Sequence, residues 1–198
     1  MKEKNYMTRE EKIQLLTDAH VLQTGHFRLT SGRHSDRYMQ CARVFENAKY
    51  SEAVCRDIAD AYRGEKIDLV IGPALGGIII TYEVARQLGT RNIFAERENG
   101  TMTLRRGFAI EPGARVLVVE DTITTGGSVR EVIDLVREKG GVVVGVGSVV
   151  DRSNGKVDFG VPLHAFLSME VESFGEEDCP LCKQGLPIIK PGSRNFAK

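Results

Sequence analysis

An α/β architecture, with a central parallel sheet flanked by helices, is what this sequence predicts, and three observations carry it. Short runs of wholly apolar, largely β-branched residues recur along the chain, and most alternate with a segment whose apolar positions have helical spacing. Strands of that composition are buried on both faces, as happens in a parallel sheet covered by crossover helices. The chain, at 198 residues, is long enough for one such layered structure with a sizeable core, and its 41% hydrophobic and 27% charged content is ordinary for a globular protein.

The elements follow in order. In "TREEKIQLLTDAHVL", Thr8 and Glu11 have capping-box spacing and Ile13, Leu16 and Ala19 recur at helical intervals, which predicts an N-terminal helix. "NAKYSEAVCRDIADAYRG" repeats apolar residues at Tyr50, Val54, Ile58 and Ala61 and stops at Gly64, predicting a second. From there the chain reads as strand "IDLVIG", turn "PALGG", helix "IIITYEVARQLG", strand "NIFAE", a polar excursion, strand "RVLVVE", a turn, helix "SVREVIDLVREKG" and strand "VVVGVGSVV". No linker rich in Pro, Gly or Ser divides it before the tail near Gly175, so one domain over 1–198 is expected.

Composition excludes several classes. The 27 basic residues balance 27 acidic ones, so the bulk charge points to no nucleic-acid partner. No stretch approaches the ~20 apolar residues of a membrane helix, and the start "MKEKNYMTREEK" lacks the apolar core of a secretory signal, so a cytoplasmic protein is expected. Cys41, Cys55, Cys179 and Cys182 are too few and too uneven for a disulfide framework. "CPLC" has the spacing of a metal or redox pair, but zinc takes four ligands and the other two cysteines lie far upstream, so a plain C-terminal turn is expected there.

The stretch "VLVVEDTITTGGS" carries the chemistry. In a parallel sheet the carboxyl ends of the strands open onto the ligand crevice, which places Glu120 and Asp121 at that edge. "TTGGS" then leads into a helix, so backbone N–H groups and the positive end of a helix dipole converge where the chain turns, as in a phosphate cradle. Carboxylates cannot help hold a phosphate, but they accept hydrogen bonds from vicinal sugar hydroxyls or orient a cation. A sugar phosphate satisfies both halves. Neither a P-loop nor a dinucleotide fingerprint is present.

That stretch closely resembles the phosphoribosyl-diphosphate signature of the type I phosphoribosyltransferases. Within that family "HFRLTSGRHSDRYMQ", "GPALGGI" and "SVVDRS" resemble, in order, the orotate-side segment, the diphosphate loop and the strand end with the orotate-contacting arginine of the orotate branch, and the tail "CPLCKQGLPIIKPGSR" resembles one bacterial and archaeal group of it. The resemblance implies a core of about 46–169 with a small hood from about 1–45 and 170–198, a Mg²⁺ cofactor held mainly through substrate and water, a homodimer whose mobile loop is shared between subunits, and transfer of ribose 5-phosphate to orotate in pyrimidine biosynthesis. It assigns phosphoribosyl diphosphate to Gly72, Gly76, Gly77, Glu120, Asp121, Thr122, Ile123, Thr124, Thr125, Gly126, Gly127 and Ser128, and orotate to Thr124, Arg152 and Tyr38. Catalysis falls to Asp121 and to loop arginines, Arg97 with Arg105 or Arg106, because Thr101 stands where a lysine is usual. Thr30 and Gly76 also replace lysines of the enteric pattern.

Other residues have plainer readings. Arg105 and Arg106 also suit a solvated hairpin, Arg152 a strand-end salt bridge, and Tyr38 and Met39 the core. His20 and His26, in or just past the first helix, are read as surface or capping residues, His164 as a strand residue, and His34 alone as bordering the site. A purine phosphoribosyltransferase and a non-catalytic regulator that senses phosphoribosyl diphosphate remain alternatives; the first would lack "TSGRHS" and Arg152, and neutral charge without a winged helix argues against the second.

Overall fold

The computed structural model describes residues 7–29 and 31–191; Thr30 and the end of the tail lie outside them. In chain order the elements are α1 (Arg9–Asp18), β1 (Leu22–Arg28), β2 (His34–Met39), a 3-10 turn (Cys41–Glu46), α2 (Ala48–Tyr62), β3 (Leu69–Pro73), α3 (Gly77–Leu88), β4 (Arg91–Glu98), β5 (Thr101–Thr103), β6 (Arg115–Ile123), α4 (Gly127–Glu138), β7 (Val142–Asp151), β8 (Leu163–Ser168) and the single turn α5 (Pro180–Lys183).

The main sheet has the order β5-β4-β3-β6-β7-β8. Every neighbouring pair is parallel except β4 with β5. After β3 the chain builds outward to β4 and β5, then returns to place β6 on the other side of β3 and builds the opposite way. The strand order therefore reverses between β3 and β6, and the crevice outside their carboxyl ends is where such sheets take ligands.

Alternation along β6 supplies both faces of the core. Val116 and Val118 pack with Ile71, Val132 and Val136 under α4, while Leu117 and Val119 pack with Val54, Ile58, Ile80 and Val84 under α2 and α3. Val116, Leu117, Val118 and Val119 are all fully buried. Burying each such side chain contributes about 1.5–3 kcal/mol, so this strand anchors whatever its end carries. Close approach beside it needs glycine. A Cβ on Gly72 would fall 2.5 Å from Thr81 Oγ1 and 2.6 Å from the Val119 carbonyl oxygen, and one on Gly77 would lie 3.1 Å from the Gly72 backbone. The absent Cβ atoms of Gly72 and Gly77 thus serve the packing of α3 on β3 and β6.

At the N-terminus the capping box forms with both arms: the Thr8 hydroxyl accepts from the Glu11 N–H and the Glu11 carboxylate from the Thr8 N–H. The helix ends at Asp18, short of the quoted segment's end, because His20 turns the chain with φ of 55° and a strand follows. Lys12 and His164 both hold the buried carboxylate of Asp57, each at 2.7 Å, which fastens α1 and β8 to α2. His164 lies in a strand, as expected.

One hairpin was not anticipated, and a second forms in the polar loop for which a solvated hairpin was one reading. β1 and β2 form a separate antiparallel pair. The polar excursion after "NIFAE" folds back on β4 as β5, turning at Asn99 and Gly100 with φ of 51° and 86°, the positive values a tight hairpin turn requires. Among the described residues no helix is long and apolar enough to cross a membrane.

Candidate active site

In the last stretch of the β6 ladder, before the strand ends at Ile123, the backbone delivers Glu120, buried, and Asp121, half-buried, in succession, and the Asp121 N–H donates to Glu120 Oε1 at 3.2 Å. Burial pushes the Glu120 carboxyl up, and the Asp121 charge beside it pushes the same way; burial also raises Asp121. Two adjacent carboxylates, one buried and one half-buried, favour any ligand that donates hydrogen bonds or brings positive charge.

Next to them, residues Thr122 to Val129, together with Glu120, Arg97 and Glu131, line a cleft of about 210 Å³. Its floor is the start of α4. Gly126, with φ of 76°, is the N-cap and offers no side-chain hydrogen bond, so the first N–H groups of a twelve-residue helix point into the turn uncapped by any side chain. An anion is the natural partner of such a helix start. The hydroxyls of Thr124, Thr125 and Ser128 border the same space.

The loop after β3 faces this acid pair across the crevice. A Cβ on Gly76 would stand 2.7 Å from Asp121 Oδ2, so the absence of a side chain at Gly76 leaves room for the carboxylate. On the other flank the Arg152 N–H donates to the Ile123 carbonyl at 2.8 Å, setting Arg152 beside the strand end that continues into Thr124. Its guanidinium Nε is buried and has no hydrogen-bond partner among the described residues. Burial raises the Tyr38 hydroxyl while the Arg152 charge nearby opposes it, and burial pushes the neighbouring Cys41 thiol up to about 12 against a hydrogen bond with Thr122. Tyr38, Cys41, Thr122 and Arg152 therefore share one neighbourhood. Cys41 had no assigned place in the sequence reading, and nothing local in the sequence marks it.

The loop arginines are placed differently from one another. Arg97 reaches back over the cleft of its own chain and donates to Glu131 on α4 at 2.9 Å. Arg106 forms a bidentate pair with Glu96 at 2.7 and 2.9 Å and covers the Phe94 ring, and Arg105 lies 3.4 Å from Glu98. Neither Arg105 nor Arg106 lines the cleft in this chain.

Two further expectations change. His26 is neither a surface nor a capping residue: it is buried on β1, with His34 at the start of β2 beside it. The "CPLC" pair packs against these two histidines rather than forming an isolated turn.

An acid pair and an uncapped helix start stand side by side where a parallel sheet reverses its strand order, and residues 44–159 match the family model described as phosphoribosyl transferase domain, which puts the chain in the phosphoribosyltransferase class. Over 190 residues, 96% of this chain and all of the relative, the chain is 62% identical to an orotate phosphoribosyltransferase of Pelotomaculum thermopropionicum. The chain belongs to the orotate phosphoribosyltransferase family. Among solved structures it is similar to the Mycobacterium tuberculosis orotate phosphoribosyltransferase in complex with inorganic phosphate, with a TM-score of 0.65 and 26% identity over 79% of this chain and 95% of that one. It also resembles adenine phosphoribosyltransferase of Rhodothermus marinus, with a TM-score of 0.63 and 20% identity over 79% of this chain and 99% of that one, so the fold by itself does not choose the base.

Proposed function

We propose that this chain transfers ribose 5-phosphate from 5-phospho-α-D-ribose 1-diphosphate to orotate, giving orotidine 5′-monophosphate and diphosphate in pyrimidine biosynthesis. The observation that carries the choice of base is the guanidinium of Arg152 beside the acid pair and the helix start, whose buried Nε has no hydrogen-bond partner among the described residues. Orotate differs from uracil by a carboxylate, which a guanidinium fork binds. A purine base brings no carboxylate and would leave that cation unpaired.

In this reading the N–H groups and hydroxyls from Thr124 to Ser128 hold the 5-phosphate, and Glu120 and Asp121 accept hydrogen bonds from the ribose hydroxyls. The backbone of Gly72, Gly76 and Gly77 faces the diphosphate. A bond from the anomeric carbon to a ring nitrogen of orotate forms while the bond to the diphosphate oxygen breaks, through a centre with oxocarbenium character, and the proton of that nitrogen is released to the diphosphate or to solvent. No protein nucleophile is needed, so the residues act by positioning and by stabilising charge on the leaving group. Glu120 and the hydroxyl residues Thr122, Thr124, Thr125 and Ser128 around the cleft offer oxygen ligands that would suit Mg²⁺, which, held mainly through substrate and water, would supply positive charge to the diphosphate. Loss of absorbance on conversion of orotate with phosphoribosyl diphosphate and Mg²⁺ tests the reading, with hypoxanthine, guanine, xanthine, adenine and uracil as competing bases. Turnover of a purine and none of orotate would overturn it.

The working form in this proposal is a homodimer. Ile79 and Tyr82, three residues apart on α3, and Leu75 in the turn just before it are 51%, 57% and 83% exposed, an apolar patch of the kind a partner subunit covers. Arg105 and Arg106 then act on the partner's diphosphate, with Arg97 over the cleft. Mixed dimers test the sharing. A subunit carrying Arg105→Ala and Arg106→Ala, with Arg97 kept because it covers its own cleft, combined with an Asp121→Asn subunit, should recover activity toward half that of wild type per dimer. No recovery in mixed dimers verified by native mass spectrometry would mean the loop does not serve the other subunit.

A further inference from the structure

We propose that His26, His34, Cys179 and Cys182 form a tetrahedral site for a structural Zn²⁺ ion, which clasps the β1–β2 hairpin to the C-terminal tail. The four side chains come from three separate segments, and their ligand atoms all lie within 4.8 Å of one another. His26 Nε2 is 3.1 Å from His34 Nδ1, 3.6 Å from Cys179 Sγ and 3.7 Å from Cys182 Sγ, and Cys182 Sγ is 3.2 Å from His34 Nδ1. A tetrahedron built with Zn–N of about 2.0 Å and Zn–S of about 2.3 Å has edges of about 3.3 Å between two nitrogens and about 3.5 Å between nitrogen and sulfur. Those four separations scatter around these edges, and the ion would draw the remaining pairs to within them.

Proton bookkeeping points the same way. His26 Nδ1 lies 2.8 Å from the carbonyl oxygen of Leu186, which can only accept, so Nδ1 carries the ring proton and Nε2 presents a lone pair. Three groups crowd that one lone pair: the other imidazole and both thiols. A hydrogen bond can use it once. A metal ion instead takes a lone pair from each of the four groups, and the Leu186 carbonyl becomes the outer partner that fixes the tautomer and ring orientation of a metal-bound histidine.

The setting is that of a structural ion. Four protein ligands leave no open position, unlike a catalytic zinc. His26, His34 and Cys179 are buried, while Cys182 is exposed and gives the ion a route in. Two thiolates with two imidazoles select zinc over the hard cations Mg²⁺ and Ca²⁺. The backbone is already laced here: the His34 N–H donates to the Phe174 carbonyl at 2.9 Å and the Ile189 N–H to the His26 carbonyl at 2.7 Å. The ion would lock two chain segments that sit beside the main sheet rather than in it.

The experiment uses the full chain, without a polyhistidine tag, produced in zinc-supplemented medium. Elemental analysis should find about one zinc per chain, reduced at least several-fold in Cys182→Ser and His34→Asn. Exchange for Co²⁺ should give the thiolate charge-transfer and strong visible bands of a tetrahedral site, absent in Cys182→Ser. Removing the ion from the wild-type protein with a strong chelator should lower Tm, and zinc but not magnesium should restore it; this readout does not depend on a variant folding. Zinc content no higher in wild type than in Cys182→Ser after zinc re-addition, or a Cys179–Cys182 disulfide in the freshly purified protein, would overturn the assignment.

Discussion

Asp121→Asn should lower kcat/KM by roughly 10²-fold or more, on the order of 3 kcal/mol of transition-state stabilisation, while Tm holds or rises. The substitution keeps the size of the side chain and removes its charge. In the free protein that charge is unfavourable: Asp121 adjoins the Glu120 carboxylate, and burial raises both groups. Relieving a crowded pair of carboxylates favours the fold. With the ribose hydroxyls in place the balance reverses, because a carboxylate accepts from them more strongly than an amide oxygen and also offsets positive charge growing at the anomeric carbon. Activity and stability therefore move in opposite directions, and steady-state kinetics with a thermal melt on the same preparation measures both. A variant with near-normal kinetics and a lowered Tm would make Asp121 a polar cap on β6.

How far the sequence disclosed this arrangement depended on how local each signal was. β3, β4, β6 and β7 lie close to where apolar runs predict them, since a strand buried on both faces writes its own continuous pattern, and α2, α3 and α4 follow from helical spacing. β1 and β2 left no comparable trace: Gln23, Thr24, Ser35 and Asp36 interrupt them, and their pairing depends on a partner strand and on the tail. The phosphate turn was legible because its acids, threonines and glycines are contiguous. The ion pair of Arg97 with Glu131 was not, because it is created by the approach of β4 to α4. The histidine and cysteine cluster was least legible of all, since its members come from opposite ends of the chain and only two of the four share a recognisable spacing.

Arg152→Ala should raise KM for orotate on the order of 30-fold or more, the equivalent of about 2 kcal/mol, with a much smaller change in KM for phosphoribosyl diphosphate. The asymmetry follows from where the residue stands. Its backbone is tied to Ile123 at the end of β6, so removing the side chain leaves that strand's ladder intact, and the phosphate turn from Thr124 to Ser128 keeps its own helix start. What is lost is a half-buried cation whose buried Nε has no hydrogen-bond partner among the described residues. A buried donor without a partner costs free energy, and a carboxylate that accepts from it regains that energy on binding. Arg152→Lys keeps the charge but not the planar fork, so it should recover only part of the loss. The base should matter in the same way: uracil, with no carboxylate, should be as poor a substrate for Arg152→Ala as for the wild type. Equal rises in both KM values would mean that Arg152 supports the strand end, and the choice of orotate would then have to rest on Tyr38 and Thr124.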